Sequence, residues 1–356
     1  MAPSVHLAGR SWPAYGAWGA AGFALAIVLH LALTREQGLA LVTAALLIPV
    51  GAATSFAVAL GTKIVTGEER HRYLHHEIAF LVTFPLALWL AGAPVLAHLD
   101  TVLLGLGTVL GFGRFGCLMA GCCHGKPAAF GPRYGDEHVA GGFSPELAGV
   151  RLFPVQLLEA VLVLGLVAAG AAAVLAGAPA GTAAGLYVVG YGAIRFALEY
   201  LRGDSVRAYW RGFSHVQWTL LAVTAVTVAL EAAGALPFVL WHVLALAGMV
   251  VAMLATRGRT GIGHPRHLAE LAAAVRLVES SGELRVRTTS LGVSVSGGVI
   301  ERDGAPVRHY SVSRAHGAVN GLATLIARLG GAPGGGEVVA GGNGVVHVLL
   351  PDRRSS

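Results

Sequence analysis

Lysine is all but absent from this chain: Lys63 and Lys126 are the only two in 356 residues, and charged side chains make up 12% of the whole. A soluble domain carries about a quarter charged residues, so water is excluded as the sole solvent for this surface. Cysteine is also scarce. Cys117, Cys122 and Cys123 are the full complement, too few and too crowded for a disulfide framework. The basic balance of +6 is therefore carried almost entirely by arginine, a side chain whose paired donors suit phosphate oxygens. Nothing in this pattern points to a nucleic-acid partner.

What the chain has instead is hydrocarbon, with 55% hydrophobic residues and a mean hydropathy of +0.67. A membrane-spanning helix needs about 20 mostly apolar residues. Such stretches fall at 15–33, 39–60, 78–96 and 101–121, then at 154–176, 183–201, 216–230 and 238–256. The seventh is short and threonine-rich, so the expected fold is an all-α polytopic membrane protein of seven or eight transmembrane helices. The N-terminal apolar stretch behind Arg10 superficially resembles a signal peptide, but the stretches that follow make it a first span. The connections at 34–38, 98–100 and 177–182 are short, and those at 61–77, 124–153 and 202–215 are longer and polar.

With eight passes the polar connections share one side of the bilayer, side A. Tyr15, His75, Arg114, Arg195 and Glu199 all fall at side-A helix ends. Ionisable residues in spans usually face a protein interior and do a job, so their convergence marks a site. Each also has a structural reading: a helical i,i+4 pair for Arg195 and Glu199, snorkelling for Arg114, an interfacial anchor for Tyr15.

The chain divides into a transmembrane domain, 1–256, and a small C-terminal α+β domain, 257–356. In the latter, 267–279 reads as an amphipathic helix, 283–288, 291–295 and 309–312 alternate like strands, 315–329 is helical, and 345–350 is a strand after a glycine-rich stretch. No metal motif, phosphate loop or nucleophile signature identifies its role.

The most unusual segment is GFGRFGCLMAGCCHG at 111–125, where glycines surround one arginine. A guanidinium beside exposed backbone N–H groups favours an anion. This segment resembles the signature of the prolipoprotein diacylglyceryl transferase family. So do Tyr15-Gly16 with Gly22-Phe23, the run Phe153-Pro154-Val155-Gln156-Leu157-Leu158-Glu159, and Gly190-Tyr191-Gly192-Ala193-Ile194-Arg195 with Glu199 and Arg202. Cys117 stands where the family pattern has asparagine and Cys122 where it has glutamate. Phe153, Val155 and Leu158 replace a histidine, a serine and a tyrosine.

The resemblance covers roughly residues 12–256. It implies transfer of a diacylglyceryl group from phosphatidylglycerol to the lipobox cysteine of a prolipoprotein, without a cofactor or metal, in the bacterial inner membrane. It places catalytic roles on His75, with His76 adjacent, and on Arg114, Arg195 and Glu199. Substrate contacts fall on Tyr15, Arg114, Gly116, Gln156 and Arg202. A divergent relative using another phospholipid or acceptor is the alternative.

Two further readings compete. Cys117, Cys122 and Cys123, with His124, offer zinc-like or thiol-redox chemistry. However, C-x4-C-C-H is not a usual zinc spacing, and adjacent cysteines on a regular helix do not face one ion. An inert, packed trio is the expectation. A transporter would need polar groups continuing to side B, whereas a surface enzyme predicts none there. The orientation is contested: Lys63, Arg70, Arg72, Lys126, Arg133, Arg151, Arg202, Arg207 and Arg211 crowd side A, which the positive-inside rule makes cytoplasmic. The family resemblance makes it the outer face.

Overall fold

The computed structural model describes residues 3–7, 10–67, 73–204, 208–257, 261, 263–280, 285–302, 304–314, 321–332 and 334–351. Arg70, Arg72 and Arg207 of the charge argument lie outside the described residues, as do the beginnings of the strand expected at 283–288 and of the helix expected at 315–329.

A short antiparallel hairpin, β1 (Ser4–Leu7) and β2 (Arg10–Pro13), leads into the apolar helices α1 (Ala14–Glu36), α2 (Leu41–Thr66), α3 (Tyr73–Leu90) and α4 (Val95–Ala120). A loop region carrying the one-turn helix α5 (Asp136–Ala140) follows. Next come α6 (Val155–Leu175), α7 (Thr182–Leu198), the two-residue strands β3 (Tyr209–Trp210) and β4 (Phe213–Ser214), α8 (His215–Ala232) and α9 (Leu240–Thr256). Among the described residues five helices, α1, α2, α4, α6 and α8, are long and apolar enough to cross a membrane, and α3 and α9 supply shorter apolar helices.

Two expected boundaries move. The connection expected at 98–100 lies inside α4, because the chain turns earlier, at Gly92 with φ 64° and Pro94 as the helix's N-terminal flank. Glu77, expected in a loop, lies within α3 for the corresponding reason: that helix already begins at Tyr73.

Helix α4 is central. Two-thirds of its apolar window is buried, against one-third or less in each of the other four long helices. Its contact with α1 is close because glycine removes side chains where the two cross. A Cβ on Gly22 would sit 2.5 Å from Phe112 Cβ, and one on Gly116 would sit 3.0 Å from the Tyr15 Cα. Small residues let helices approach in lipid, where no water drives them together. Outward-facing Val42, Phe56, Ile64, Trp89, Leu240 and Leu254 are exposed, as hydrocarbon-facing positions should be.

Buried polar groups do occur at the far ends of the helices, contrary to the expectation of none on side B. Asp100 accepts hydrogen bonds from the backbone N–H groups of Gly181 and Ala184, both at 2.7 Å, and so caps α7. Glu231 pairs with His242 across the α8–α9 turn, and His30 meets Thr101 at 3.0 Å. Each ties one helix end to another, which a backbone buried away from water requires.

The C-terminal region folds as α10 (Pro265–Ser280), β5 (Arg285–Thr288), β6 (Val293–Arg302), β7 (Ala305–Arg314), α11 (Leu322–Leu329), β8 (Glu337–Ala340) and β9 (Val346–Pro351). Its antiparallel sheet runs in the order β5-β6-β7-β9-β8. Strand β8 was hidden in the glycine-rich stretch. The buried face of this sheet, with α10 and α11, shares one core with Tyr134, Phe143, Leu147, Val150 and Leu152 of the loop between α4 and α6. Arg276 ties α10 to the Ala148 carbonyl of that loop. The C-terminal region thus bears on the loop next to the end of α4.

Candidate active site

Helix α4 ends at Ala120, and Gly121 turns the chain back at φ 80°. Its last carbonyls need partners. The Tyr134 hydroxyl donates to the Leu118 carbonyl at 2.9 Å, and His138 Nε2 lies 3.1 Å from the Met119 carbonyl. Gln156 Nε2 donates to the Cys122 carbonyl at 2.8 Å. The segment then passes between the start of α6 and the end of α7. Gly125 N–H reaches the Phe153 carbonyl at 3.1 Å and Lys126 N–H the Leu201 carbonyl at 3.0 Å. Only glycine allows this approach: a Cβ on Gly203 would lie 2.4 Å from the Gly125 carbonyl oxygen.

This packing brings three arginines around one carboxylate. Glu159 of α6, fully buried, has its Oε1 at 3.0 Å from Arg114 Nη2 and 3.5 Å from Arg195 Nε, and its Oε2 at 3.7 Å from Arg202 Nη1. The Tyr191 hydroxyl donates to the same Oε1 at 3.4 Å. Glu199 takes Arg195 Nη2 at 2.5 Å, one helical turn on. Asp204 accepts from Arg202 Nε at 2.9 Å. Even so, Arg114 Nε, Arg195 Nη1 and Arg202 Nη1 have no hydrogen-bond acceptor among the described residues. Buried donors of this kind call for an explanation.

The three arginines line a cavity of about 590 Å³, together with Tyr15, Cys117, Cys122, Cys123, His124, Tyr191 and His215. Leu268 and Ala269 of α10 also reach its wall. Burial pushes the His124 imidazole below its ordinary pKa, and its Nδ1 lies 2.9 Å from the Gly125 carbonyl. Burial pushes the Tyr134 phenol up, so it remains the donor that its bond to Leu118 requires.

Of the residues singled out in the sequence, Tyr15, Arg114, Arg195, Arg202 and the three cysteines meet at this cavity. Glu199, Gly116 and Gln156 lie behind its wall, holding Arg195, admitting Tyr15 and fixing the cysteine turn. His75 is different: it is exposed in the first turn of α3 and is not part of the cavity lining, although its neighbour Leu74 is. His76 lines a separate apolar groove.

Sequence reasoning missed Glu159 as a hub, though a carboxylate inside an apolar helix was the available signal. It also missed Glu77, buried in α3 and within electrostatic reach of Glu159, Arg114 and Arg195.

This cluster coincides with a recognisable family segment. Residues 77–233 match the family model of prolipoprotein diacylglyceryl transferase. The matched stretch contains Arg114, the three cysteines, Glu159, Arg195, Glu199 and Arg202, while Tyr15, His75 and the C-terminal sheet lie outside it.

The chain is 34% identical over 110 residues to a phosphatidylglycerol–prolipoprotein diacylglyceryl transferase of Clostridium tetani (strain Massachusetts / E88), covering 31% of this chain and 43% of that protein. It is 35% identical over 113 residues to phosphatidylglycerol–prolipoprotein diacylglyceryl transferase 2 of Clostridium perfringens (strain 13 / Type A), covering 31% of this chain and 41% of that one. The chain thus spans about two-fifths of the length of these curated relatives.

Proposed function

We propose that this protein is a multi-pass transferase of the bacterial inner membrane, with eight helices in the bilayer. It moves a diacylglyceryl group from phosphatidylglycerol to the lipobox cysteine thiol of a prolipoprotein. The observation that carries this reading is the set of buried guanidinium donors without acceptors on Arg114, Arg195 and Arg202, beside a cavity at the helix ends. A phosphodiester supplies what those donors lack, and guanidinium binds phosphate oxygens in pairs.

The chemistry follows from where charge develops. As the thiolate sulfur bonds to the glyceryl carbon, the carbon–oxygen bond to phosphate breaks and glycerol phosphate leaves with one more negative charge. Arg114 and Arg195, already fixed by Glu159 and Glu199, stabilise that charge more in the transition state than in the bound lipid. The fixed ion pairs spare the site reorganisation during the step. Tyr15, at the first turn of α1 and half exposed, contacts the lipid headgroup. An apolar groove of about 280 Å³ between α1, α2, α3 and α4, lined by Phe23, Ile27, Leu47, Phe80 and Phe84, offers hydrocarbon to an acyl chain. His124 and His215 line the cavity where His75 does not, and His215, the less buried of the two, is placed to receive a proton.

The test is transfer from labelled phosphatidylglycerol to a lipobox peptide by purified protein in detergent. Thioether product that disappears in Arg114→Ala supports both activity and site. Folded, lipid-binding protein that forms no product overturns the acceptor assignment.

A further inference from the structure

The cysteine trio is the feature that the proposed lipid chemistry does not absorb. From the sequence, two adjacent cysteines on a helix could not face one ion, yet α4 has ended before either is reached. Gly121 reverses the chain at φ 80° and Cys123 sits at φ 58°. Among the described residues only one other non-glycine side chain, Arg211, has a positive φ. Such a conformation is strained for a residue with a side chain and persists where the surroundings over-determine it. Here they do: Gln156 holds the Cys122 carbonyl, while Tyr134 and His138 hold the two carbonyls at 118 and 119.

The result is that the sulfurs of Cys117, Cys122 and Cys123 all lie within 4.8 Å of one another. Around a tetrahedral zinc ion with bonds of about 2.3 Å, sulfurs stand roughly 3.8 Å apart. Closing the trio onto an ion thus needs a movement of about 1 Å at most. A disulfide would use two sulfurs and leave the third, and two adjacent cysteines have Cα atoms about 3.8 Å apart, short of the usual span for a bridge. The surrounding charge suits a metal thiolate. Zn²⁺ with three thiolates carries one net negative charge, and Arg114 Nη1 lies 4.0 Å from Cys117 Sγ. The three cysteines grade from buried Cys117 through half-buried Cys123 to exposed Cys122, so the trio opens on one side, and all three line the cavity.

We propose that Cys117, Cys122 and Cys123 bind Zn²⁺, with the fourth coordination position open to the cavity, where it takes the acceptor thiol as a thiolate. Three protein ligands with one open position is the arrangement of catalytic zinc, and a thiol that coordinates such an ion is deprotonated. The second half of this proposal rests on the transfer reading above. The thiol proton passes on coordination to the His215 imidazole at the cavity wall. The metal-bound sulfur then forms the carbon–sulfur bond as the carbon–oxygen bond to phosphate breaks, its electron pair leaving on glycerol phosphate. The zinc ion is unchanged in charge throughout.

The experiment uses the full chain in detergent, tag removed, under a non-thiol reductant, with Co²⁺ as the spectroscopic probe and Zn²⁺ as competitor. The expected result is one Co²⁺ per chain with sulfur-to-cobalt charge-transfer bands and intense tetrahedral d–d bands. Zn²⁺ should displace it, and Cys117→Ser, Cys122→Ser or Cys123→Ser should each weaken binding at least tenfold with helical content intact. A cysteine-containing lipobox peptide should shift the d–d bands where its serine counterpart does not.

Folded wild-type protein that binds no stoichiometric Co²⁺ or Zn²⁺, or serine variants that bind as well as wild type, overturn the site. Bound metal whose spectrum ignores the thiol peptide, or full-rate transfer by metal-free protein, overturns its activating role. An intact cobalt–thiol spectrum with no diacylglyceryl transfer under any condition instead overturns the transfer reading and leaves the metal site standing.

Discussion

Glu159 Oε1 stands 3.0 Å from Arg114 Nη2, with the carboxylate fully buried and the guanidinium nearly so. The pair joins α6 to α4, and the same carboxylate also faces arginines supplied by α7 and by the turn after it. One buried anion thus organises three cations. Glu199 and Asp204 complete the balance of three carboxylates against Arg114, Arg195 and Arg202.

Removing the hub should cost stability and activity together. Breaking a buried ion pair from one side costs about 3–5 kcal/mol, and Glu159→Gln keeps the shape while removing the charge. Thermal unfolding in detergent should show a clearly lowered midpoint, and lipid transfer should fall below a hundredth of wild type. A midpoint matching wild type would remove the organising role given to Glu159.

Arg114→Ala and Arg195→Ala should behave differently. Each leaves Glu159 with two other arginines, so folded protein should persist. Losing a donor that acts on developing charge costs about 100- to 1,000-fold in rate. Steady-state transfer rates at saturating phosphatidylglycerol check this, and normal turnover by either variant would remove its phosphate-stabilising role.

Gly116→Ala tests the close crossing of α1 and α4. The new methyl group would meet the Tyr15 Cα at 3.0 Å and its carbonyl oxygen at 3.2 Å. Overpacking of this kind costs about 1–3 kcal/mol, and here it also displaces Tyr15 from the cavity. Gly113→Ala on the same helix meets nothing within 4 Å and serves as the control. The first variant should lower the unfolding midpoint and raise the KM for lipid; the second should do neither.

The C-terminal sheet should lose stability on mild acidification. His309 Nε2 lies 2.9 Å from His347 Nδ1 on neighbouring strands β7 and β9. Burial, and then the neighbouring His347, lower the His309 pKa. The unfolded chain therefore binds the proton first, and stability falls as pH drops below the unfolded value of about 6.5. The loss levels off once pH passes below the folded value. Hydrogen exchange of β7 and β9 at pH 7.5 and 5.5 should show more opening at the lower pH, and His309→Gln should flatten that difference.

The apolar helical class, the helix positions to within about six residues and the amphipathic α10 were legible in the sequence, because apolar length and periodicity are local properties. So was the gathering of Tyr15, Arg114 and Arg195 at one set of helix ends, since each alternate helix end returns to the same side. The partners of Glu159 were not legible: they come from separate elements and balance only once those elements pack. Nor was the peripheral place of His75, which the start of α3 at Tyr73 decides. The cysteines show the division most clearly. Their spacing on an unbroken helix separates the three sulfurs, and two left-handed residues, Gly121 and Cys123, bring them together. Those backbone angles are held by Tyr134, His138 and Gln156, contacts that only the tertiary structure supplies.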